Sequence, residues 1–250
     1  MLSIVNSHPR DENISFEEED HKYTIVGLED HPTSVTTLIH HYFVPFDADA
    51  VIDKMMASHN WPNSKYYGME KDEIKKKWSD DGLAASTAGT IMHKAIEDFM
   101  NEQIVDPTVE KSKEYTMFQN FWRDLLTKYP SLKKYRSEWL VYDEDQRISG
   151  SIDCVMKDGN GKLHIIDWKR SKEIKMSNRY AKGLAPFEDY DDCNYSHYSL
   201  QLNFYRHILE TKYSMEVASM MLVILHPNQE NYQCIPVKHI DVASVWSELH

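Results

Sequence analysis

The period of the hydrophobic pattern changes once along this chain, and that change constrains the fold more than any other feature. Residues 113–130 place apolar side chains at helical spacing. Three consecutive segments downstream alternate apolar and polar residues instead and predict strands: 135–143, 148–157 and 162–169. The sequence Asp-Gly-Asn-Gly at 158–161 predicts a hairpin between the last two strands.

The elements after this region complete the predicted core. They are a helix at 198–213, strands at 218–226 and 232–238, and a short helix at 241–250. The order helix, three strands, helix, strand predicts an α/β (α+β) fold with a mixed central sheet flanked by helices. Earlier helices are predicted at 34–43, 47–60, 71–82 and 83–101. We therefore expect an N-terminal part of strands and helices at 1–82, packed on a core at 83–250 in one compact domain.

Composition narrows the functional classes. A hydrophobic share of 41% and an aromatic share of 12% argue against disorder. No apolar run approaches the roughly 18 residues of a membrane helix, and the N-terminus does not resemble a secretory signal. The three cysteines are far apart and suggest neither a disulfide framework nor a zinc site. We expect an intracellular protein that has no membrane partner.

Charge is distributed unevenly. The net charge of −12 alone argues against a nucleic-acid partner, because a phosphate backbone needs positive charge. Residues 162–183, however, contain seven basic groups and only two acidic ones. A local basic stripe on an acidic protein can still guide a phosphate backbone.

An acid and a base, Asp167 and Lys169, end the third predicted strand, and a second acid, Asp153, lies one strand earlier. If Asp158 and Lys162 flank a three-residue turn, Asp153 lies opposite Asp167; a two-residue turn would put the two acids on opposite faces. Two facing carboxylates repel each other, and a cation such as Mg²⁺ or Mn²⁺ would remove that cost. Lys169 would then stabilise charge in a transition state. The alternative is a surface salt bridge at a strand end.

Four short motifs occur in order along the chain: Gly89-Thr90-Ile91-Met92-His93, Gly150-Ser151-Ile152-Asp153, Asp167-Trp168-Lys169 and Gln201-Leu202-Asn203-Phe204-Tyr205. Together they resemble the PD-(D/E)XK nuclease superfamily in its RecB-type exonuclease branch. The front of the chain is similar to phage and large-DNA-virus exonucleases and to the mitochondrial genome-maintenance exonuclease. The resemblance spans His21 to Tyr213. It implies a restriction-endonuclease-like core with the order αβββαβ.

The resemblance also implies roles for individual residues. The metal-binding positions match His93, Asp153, Asp167 and the backbone carbonyl of Trp168. Lys169 matches the catalytic lysine. Gln201 and Tyr205 match the motif that supports the site and contacts DNA, with ordinary helix packing as the alternative.

Two further acids are open between a site role and an ordinary one. Glu97 lies four residues after His93 on the same helical face, so it is either a partner of that histidine or half of a helix salt bridge. Glu138, on the first predicted strand, either holds a second metal through water or is a plain charged strand residue. A lone histidine such as His93 is itself often a core residue.

The segment 170–198 is long for a loop and is basic early and aromatic late. Arg170 and Lys172 begin it. Its aromatic residues are Tyr180, Phe187, Tyr190, Tyr195 and Tyr198. Such a segment either binds single-stranded nucleic acid or covers the edge of the sheet. Ser34 and Thr36 can cap a helix whose N-terminus faces a phosphate.

These observations predict a metal-dependent DNA exonuclease that acts on single strands or DNA ends in replication, recombination or repair. The alternatives are an endonuclease of the same fold and a non-catalytic nucleic-acid-binding module. The resemblance suggests a viral origin and a Mg²⁺ or Mn²⁺ cofactor. The four-cysteine pattern of an iron–sulfur cluster is missing, and so is the P-loop of a motor. We therefore expect no cluster and no nucleotide cofactor, and any helicase or other replication or recombination partner would be a separate protein.

Overall fold

The structure, a computed structural model, describes residues 1–248 of the chain. Its helices are α1 (Leu2–Val5), α2 (Val35–His40), α3 (Ala48–Met56), α4 (Lys71–Met100), α5 (Pro107–Glu110), α6 (Lys113–Lys128), α7 (Asn194–Lys212) and α8 (Ala243–Glu248). Its strands are β1 (Ile14–Glu17), β2 (Lys22–Ile25), β3 (Thr33–Ser34), β4 (Lys133–Asp143), β5 (Ile148–Lys157), β6 (Leu163–Lys169), β7 (Val217–Ile224) and β8 (Gln233–Val237). The predicted helix at 241–250 corresponds to α8, and its last two residues lie outside the described residues.

The central sheet is mixed, as predicted. The strands β3, β5, β6, β7 and β8 lie in that order, and β4 pairs with β5. The pairs β4–β5, β5–β6 and β7–β8 are antiparallel, whereas β6–β7 and β3–β5 are parallel. The mixed α/β architecture and the predicted order of core elements are therefore confirmed. The strands β1 and β2 form a separate antiparallel pair.

The arrangement around β5 opens a gap in the sheet. Because β4 occupies one edge of β5 from end to end, β3 and β6 share the other edge. The short strand β3 pairs with Ile148 and Ser149, and β6 pairs with residues 154–157. Among the described strands, none pairs with residues 150–153 at that edge. The second predicted motif, 150–153, lies at this gap.

Helices cover both faces of the sheet. On one face, α7 supplies Leu200, Phe204 and Ile208 to a cluster that includes Ile165 and Leu222. On the other face, α4 and α6 pack against the opposite side chains of the same strands. This cluster contains Met92 and Ile96 of α4, Phe118 and Trp122 of α6, and Met156, Trp168 and Val223 of the strands. This two-sided burial explains why β6 and β7 are almost continuously apolar. Within residues 1–248, no helix is both long enough and apolar enough to cross a membrane.

One helix, α4, replaces the two that the sequence predicts at 71–82 and 83–101. Gly82 does not interrupt it, since a glycine costs a helix only about 1 kcal/mol. Ile74 near its start packs with Ile52 and Tyr66 in a small cluster, while its C-terminal half packs in the core. The nine residues between, 79–87, are exposed on all sides. The predicted boundary at residue 82 falls inside this helix. The division of the chain into an N-terminal part (1–82) and a core (83–250) stays a prediction.

Candidate active site

The hairpin between β5 and β6 brings two acids to the gap. The strands pair in a register that matches Cys154 with Ile166. The backbone N–H of Asp158 donates to the carbonyl of Lys162 at 3.0 Å, and Gly161 has φ of +85°. This bond defines a three-residue turn with glycine at the left-handed position, which is the alternative that puts both acids on one face. One step beyond the last paired residues, Asp153 and Asp167 lie on facing positions of the two strands.

A histidine and two carboxylates converge at the gap. His93, Glu138 and Asp153 each offer a ligand atom, and these atoms lie within 4.8 Å of one another. His93 Nδ1 is 3.6 Å from Asp153 Oδ2 and 3.7 Å from Glu138 Oε1. The histidine comes from α4, the glutamate from β4 and the aspartate from β5. One helix and two consecutive strands thus supply one compact set of metal-ligand atoms.

The backbone of Glu138 is unusual. Its φ is +43°, in the left-handed region, although it belongs to strand β4. The residues on either side pair normally with Cys154 and Ile152, so Glu138 lies opposite Asp153. Ser151 Oγ donates a hydrogen bond of 2.9 Å to its Oε2. A non-glycine residue in this region costs about 1–3 kcal/mol and is typical of functional sites.

The backbone of Trp168 connects Asp153 to His93. Its N–H donates to Asp153 Oδ2 at 2.9 Å, and its carbonyl oxygen lies 3.0 Å from His93 Nε2. The indole ring is buried against Phe118 and Phe121 on the α6 side. Packing of the ring therefore fixes the two backbone groups at the site.

Lys169 is held by three groups. Its Nζ lies 2.8 Å from Asp167 Oδ2, 3.4 Å from Gln201 Oε1 and 4.5 Å from the centre of the Tyr198 ring. Gln201 in turn donates to the hydroxyl of Tyr205 at 3.2 Å. The first turns of α7 thus hold the head of the lysine toward the gap.

Gly150 makes room for this network. A Cβ at this position would lie 2.6 Å from Tyr205 Cε1 and 2.9 Å from its hydroxyl. Real Cβ atoms do not approach other atoms so closely. Glycine is therefore required here for the close approach of the Tyr205 ring to β5, and not for a turn.

Burial and neighbouring charges shift the pKa values of the site. Burial raises the pKa of Asp153, and the Glu138 carboxylate adds to this effect. Burial likewise raises the pKa of Asp167, with a further contribution from Asp153. Although burial opposes its charged form, the carboxylates of Asp153 and Glu138 raise the pKa of His93 to about 9. Burial is the main cause of both raised pKa values, although His93 and Lys169 oppose it, and a bound cation would further stabilise the charged carboxylates.

The donor set fits a divalent cation. Imidazole nitrogen, carboxylate oxygen and a backbone carbonyl are ligands of Mn²⁺, and oxygen donors suit Mg²⁺. Asp167 Oδ2 is buried, and none of the described residues gives it a well-aligned hydrogen bond, although Lys169 lies close. The compact set of ligand atoms includes Glu138 and does not include Asp167. The sequence had instead placed Asp167 among the metal ligands and Glu138 among the supporting residues. Asp167 lies beside the group, paired with the lysine.

The other predicted residues lie around this centre. Glu97 lines the same groove as His93 and Glu138, and its carboxylate is 3.0 Å from Lys94 Nζ, the geometry of a helix salt bridge. Thr36 lines a cavity together with Gln201. Ser34 caps α2, where its Oγ accepts a hydrogen bond from the backbone N–H of Thr37 at 3.1 Å.

The segment after β6 is mostly a cover. Arg170 forms an ion pair with Glu114 at 2.9 Å, whereas Lys172 is exposed. Phe187 is buried against the core, and other aromatic residues of the segment, Tyr190, Tyr195 and Tyr198, pack against the same cluster. Tyr180 is 98% exposed. Packing against the sheet thus accounts for most of the aromatic residues of this segment. Tyr180, by contrast, is free of the core and is the candidate for stacking on a nucleic-acid base.

Tyr198 is a site residue that the motifs do not include. It lies three residues before Gln201, so both side chains leave the same face of α7. That spacing was the available signal in the sequence. The contact with Lys169 itself depends on how α7 packs on the sheet.

The chain belongs to the PD-(D/E)XK nuclease superfamily, whose family model matches residues 64–235. Members of this superfamily are usually divalent-metal-dependent nucleases. A search of curated proteins found no match. A solved structure described as the crystal structure of SSO0001 is 13% identical and aligns with a TM-score of 0.31, covering 89% of this chain and 75% of that one.

Proposed function

We propose that this protein is a divalent-metal-dependent DNA exonuclease that acts on single strands or DNA ends, in replication, recombination or repair. The observation that carries the proposal is the convergence of His93, Glu138 and Asp153 at the gap in the sheet, beside the pair of Lys169 and Asp167. DNA as substrate and the attack on ends rest on the resemblance of the four motifs to RecB-type exonucleases. A separate helicase or recombination protein would supply strand opening.

The site residues would have different roles in hydrolysis. His93, Asp153, Asp167 and the Trp168 carbonyl would hold Mg²⁺ or Mn²⁺, and Glu138 would complete the set. When bound, such an ion polarises the scissile phosphate and lowers the pKa of a water molecule. In hydrolysis the water oxygen forms a bond to phosphorus in line with the phosphorus–oxygen bond that breaks. The leaving sugar oxygen takes up a proton in place of the one that the water loses, and no covalent intermediate with the protein is needed.

Lys169 has a separate role in this scheme. Its ammonium group donates to the phosphate oxygen on which negative charge develops. Asp167 and Gln201 hold it in position, and Tyr205 supports Gln201. Nucleic-acid contacts outside the centre are proposed for Ser34, Thr36, Arg170 and Lys172, and for Glu97 a supporting role in the groove. The N-terminal part of the chain would shape the path of the DNA.

The test is incubation with a 5′-labelled single strand, its duplex and a closed circle, each in Mg²⁺, Mn²⁺ or EDTA. We expect metal-dependent loss of linear DNA, no cutting of circles, and no activity in Lys169→Ala. Lys162→Ala is the matched control, because Lys162 directly precedes β6, at the end far from Lys169, and pairs with Glu216.

Other outcomes would replace the proposal. Cut circles would identify an endonuclease of the same fold. Binding of DNA without cleavage in either metal would identify a nucleic-acid-binding module and would remove the catalytic claim.

A further inference from the structure

We propose that the cavity between α2 and α7 is a subsite for the sugar or base edge of the nucleotide that adjoins the scissile phosphate, and that the substrate strand reaches the metal centre from this side. The inference rests on the proposed function and extends it, since it names two histidines outside every motif, His40 and His197, as substrate contacts. It also gives the strand a direction of approach.

The cavity has a volume of about 190 Å³. Its polar lining comes from Thr36 and His40 of α2 and from Asn194, His197, Tyr198 and Gln201 of α7. At roughly 30 Å³ for each water, it has space for about six water molecules. That space suits the sugar ring or one edge of the base, and the rest of the nucleotide would lie outside the cavity.

The cavity borders the catalytic lysine directly. Two of its lining residues are the ones that hold Lys169, namely Gln201, whose Oε1 is 3.4 Å from Nζ, and Tyr198, whose ring centre is 4.5 Å away. A phosphate in contact with Lys169 would therefore place an attached sugar and base within reach of the cavity.

The charges on the two sides of the metal centre differ. On the α4 side, a groove of about 800 Å³ is lined by three carboxylates, Glu18, Glu97 and Glu138, and by the basic residues His21, His93 and Lys94. The α2–α7 cavity has no carboxylate in its lining, and the nearby Asp192 is engaged by His197 Nε2 at 2.9 Å. Because phosphodiesters are anionic, the groove would accept the scissile phosphate where the metal offsets the carboxylates, and the rest of the strand is accepted more readily by the cavity without carboxylates.

The lining groups suit a nucleotide chemically. The hydroxyl of Thr36, the amide of Asn194 and the imidazole of His40 can donate hydrogen bonds to phosphate oxygens or base edges. The ring of His197 packs on Phe43, with ring centres 4.0 Å apart, and this fixes its orientation. Burial lowers the pKa of His197, so its neutral ring favours contact with a base or sugar.

The experiment measures binding, so that it does not depend on cleavage. A fluorescein-labelled 20-nucleotide single strand is titrated with the full-length protein in EDTA, and anisotropy gives Kd. His40→Glu places a carboxylate in the cavity and should raise Kd about tenfold, because a like charge facing a phosphate is strongly unfavourable. His59→Glu is the control: it makes the same charge change at another exposed histidine, outside the cavity, and should change Kd less than about twofold. Unchanged melting temperatures would show that both variants are folded.

The results separate the subsite from the nuclease proposal. Equal Kd values for His40→Glu and His59→Glu would overturn the subsite, even if the wild-type protein cleaves DNA. Tighter binding by Glu97→Gln together with no effect of His40→Glu would place the strand in the acidic groove and overturn it too. A selective loss in His40→Glu, in a protein that cleaves nothing, would support the subsite and remove the nuclease function.

Discussion

The ring of Tyr198 faces the ammonium group of Lys169, with 4.5 Å between Nζ and the ring centre. A cation on an aromatic face gains about 0.5–2 kcal/mol, according to how far it is removed from water. The lysine side chain is largely buried, so the contact belongs to the stronger part of this range. Unlike another carboxylate, the ring holds the lysine without neutralising the charge that the reaction needs.

We therefore expect Tyr198→Leu to lower the single-turnover cleavage rate at saturating DNA by roughly 3- to 30-fold. Tyr198→Phe keeps the aromatic face and should stay close to wild type. The Lys169 Cε methylene resonance in ¹³C-lysine-labelled protein, assigned with Lys169→Arg, gives a reading independent of activity. Its ring-current shift should survive in the phenylalanine variant and vanish in the leucine variant. Equal losses in both variants would point to the hydroxyl instead.

Gly150 gives a steric prediction. Gly150→Ala should destabilise the protein by roughly 1–3 kcal/mol, because its Cβ would overlap the Tyr205 ring. Gly159→Ala is the matched control, since a Cβ there would meet only Ser131 at 4.0 Å. Urea unfolding measures both variants. In the double variant Gly150→Ala/Tyr205→Leu the costs should not add, because the second change removes the overlap; strict additivity would refute the steric explanation.

Asp153 gives a prediction about metal binding. Its environment disfavours the charged carboxylate, so Asp153→Asn should raise the melting temperature in EDTA at pH 8, by about 2–4 °C for each kcal/mol gained. The asparagine oxygen can still accept from the Trp168 N–H. The same variant should lose the rise in melting temperature that Mn²⁺ gives the wild type.

The control for Asp153→Asn is Asp30→Asn, which removes an exposed acid paired with Arg147. Asp30→Asn should change neither the melting temperature in EDTA nor the rise in melting temperature that Mn²⁺ gives. A full Mn²⁺ shift in Asp153→Asn would mean that the ion binds elsewhere.

Asp11 gives a prediction about pH. Its carboxylate accepts hydrogen bonds from Arg136 Nη1 at 2.7 Å, Trp139 Nε1 at 2.9 Å and the backbone N–H of His8 at 2.8 Å. Although burial favours the neutral acid, these bonds lower the pKa of Asp11. A lowered pKa stabilises the fold fully above the unfolded pKa of about 3.9, and the gain is lost as pH falls through the folded value.

Asp11→Asn should therefore cost roughly 1.5–3 kcal/mol at pH 7, the value of hydrogen bonds to a charged group. The difference from wild type should shrink when urea unfolding is repeated below pH 4. A difference that is constant between pH 7 and pH 3 would show that the charge of Asp11 is not what stabilises the fold. Because Arg136 and Trp139 flank Glu138 on β4, a weaker network should also reduce Mn²⁺ binding.

The sequence alone predicted those features that depend on residues close to one another in the chain. The alternation of 148–157 and 162–169 predicted both strands and a hairpin between them, and it left the turn open between two and three residues. Period and turn length then set which faces Asp153 and Asp167 occupy, since side chains alternate strictly along a strand. The order of the core elements followed from the same local patterns.

Long-range packing decided the rest. Gly82 reads as a helix break, yet α4 continues through it, because tertiary contacts anchor both ends of the helix. No local signal predicts the left-handed backbone of Glu138, the contact between the Trp168 carbonyl and His93, or the cation–π contact of Lys169 with Tyr198. The sequence thus determined which acids and bases the chain can bring to a strand end. The tertiary structure decided which of them meet, because groups on α4, β4, β6 and α7 are brought together only when both faces of the sheet are covered.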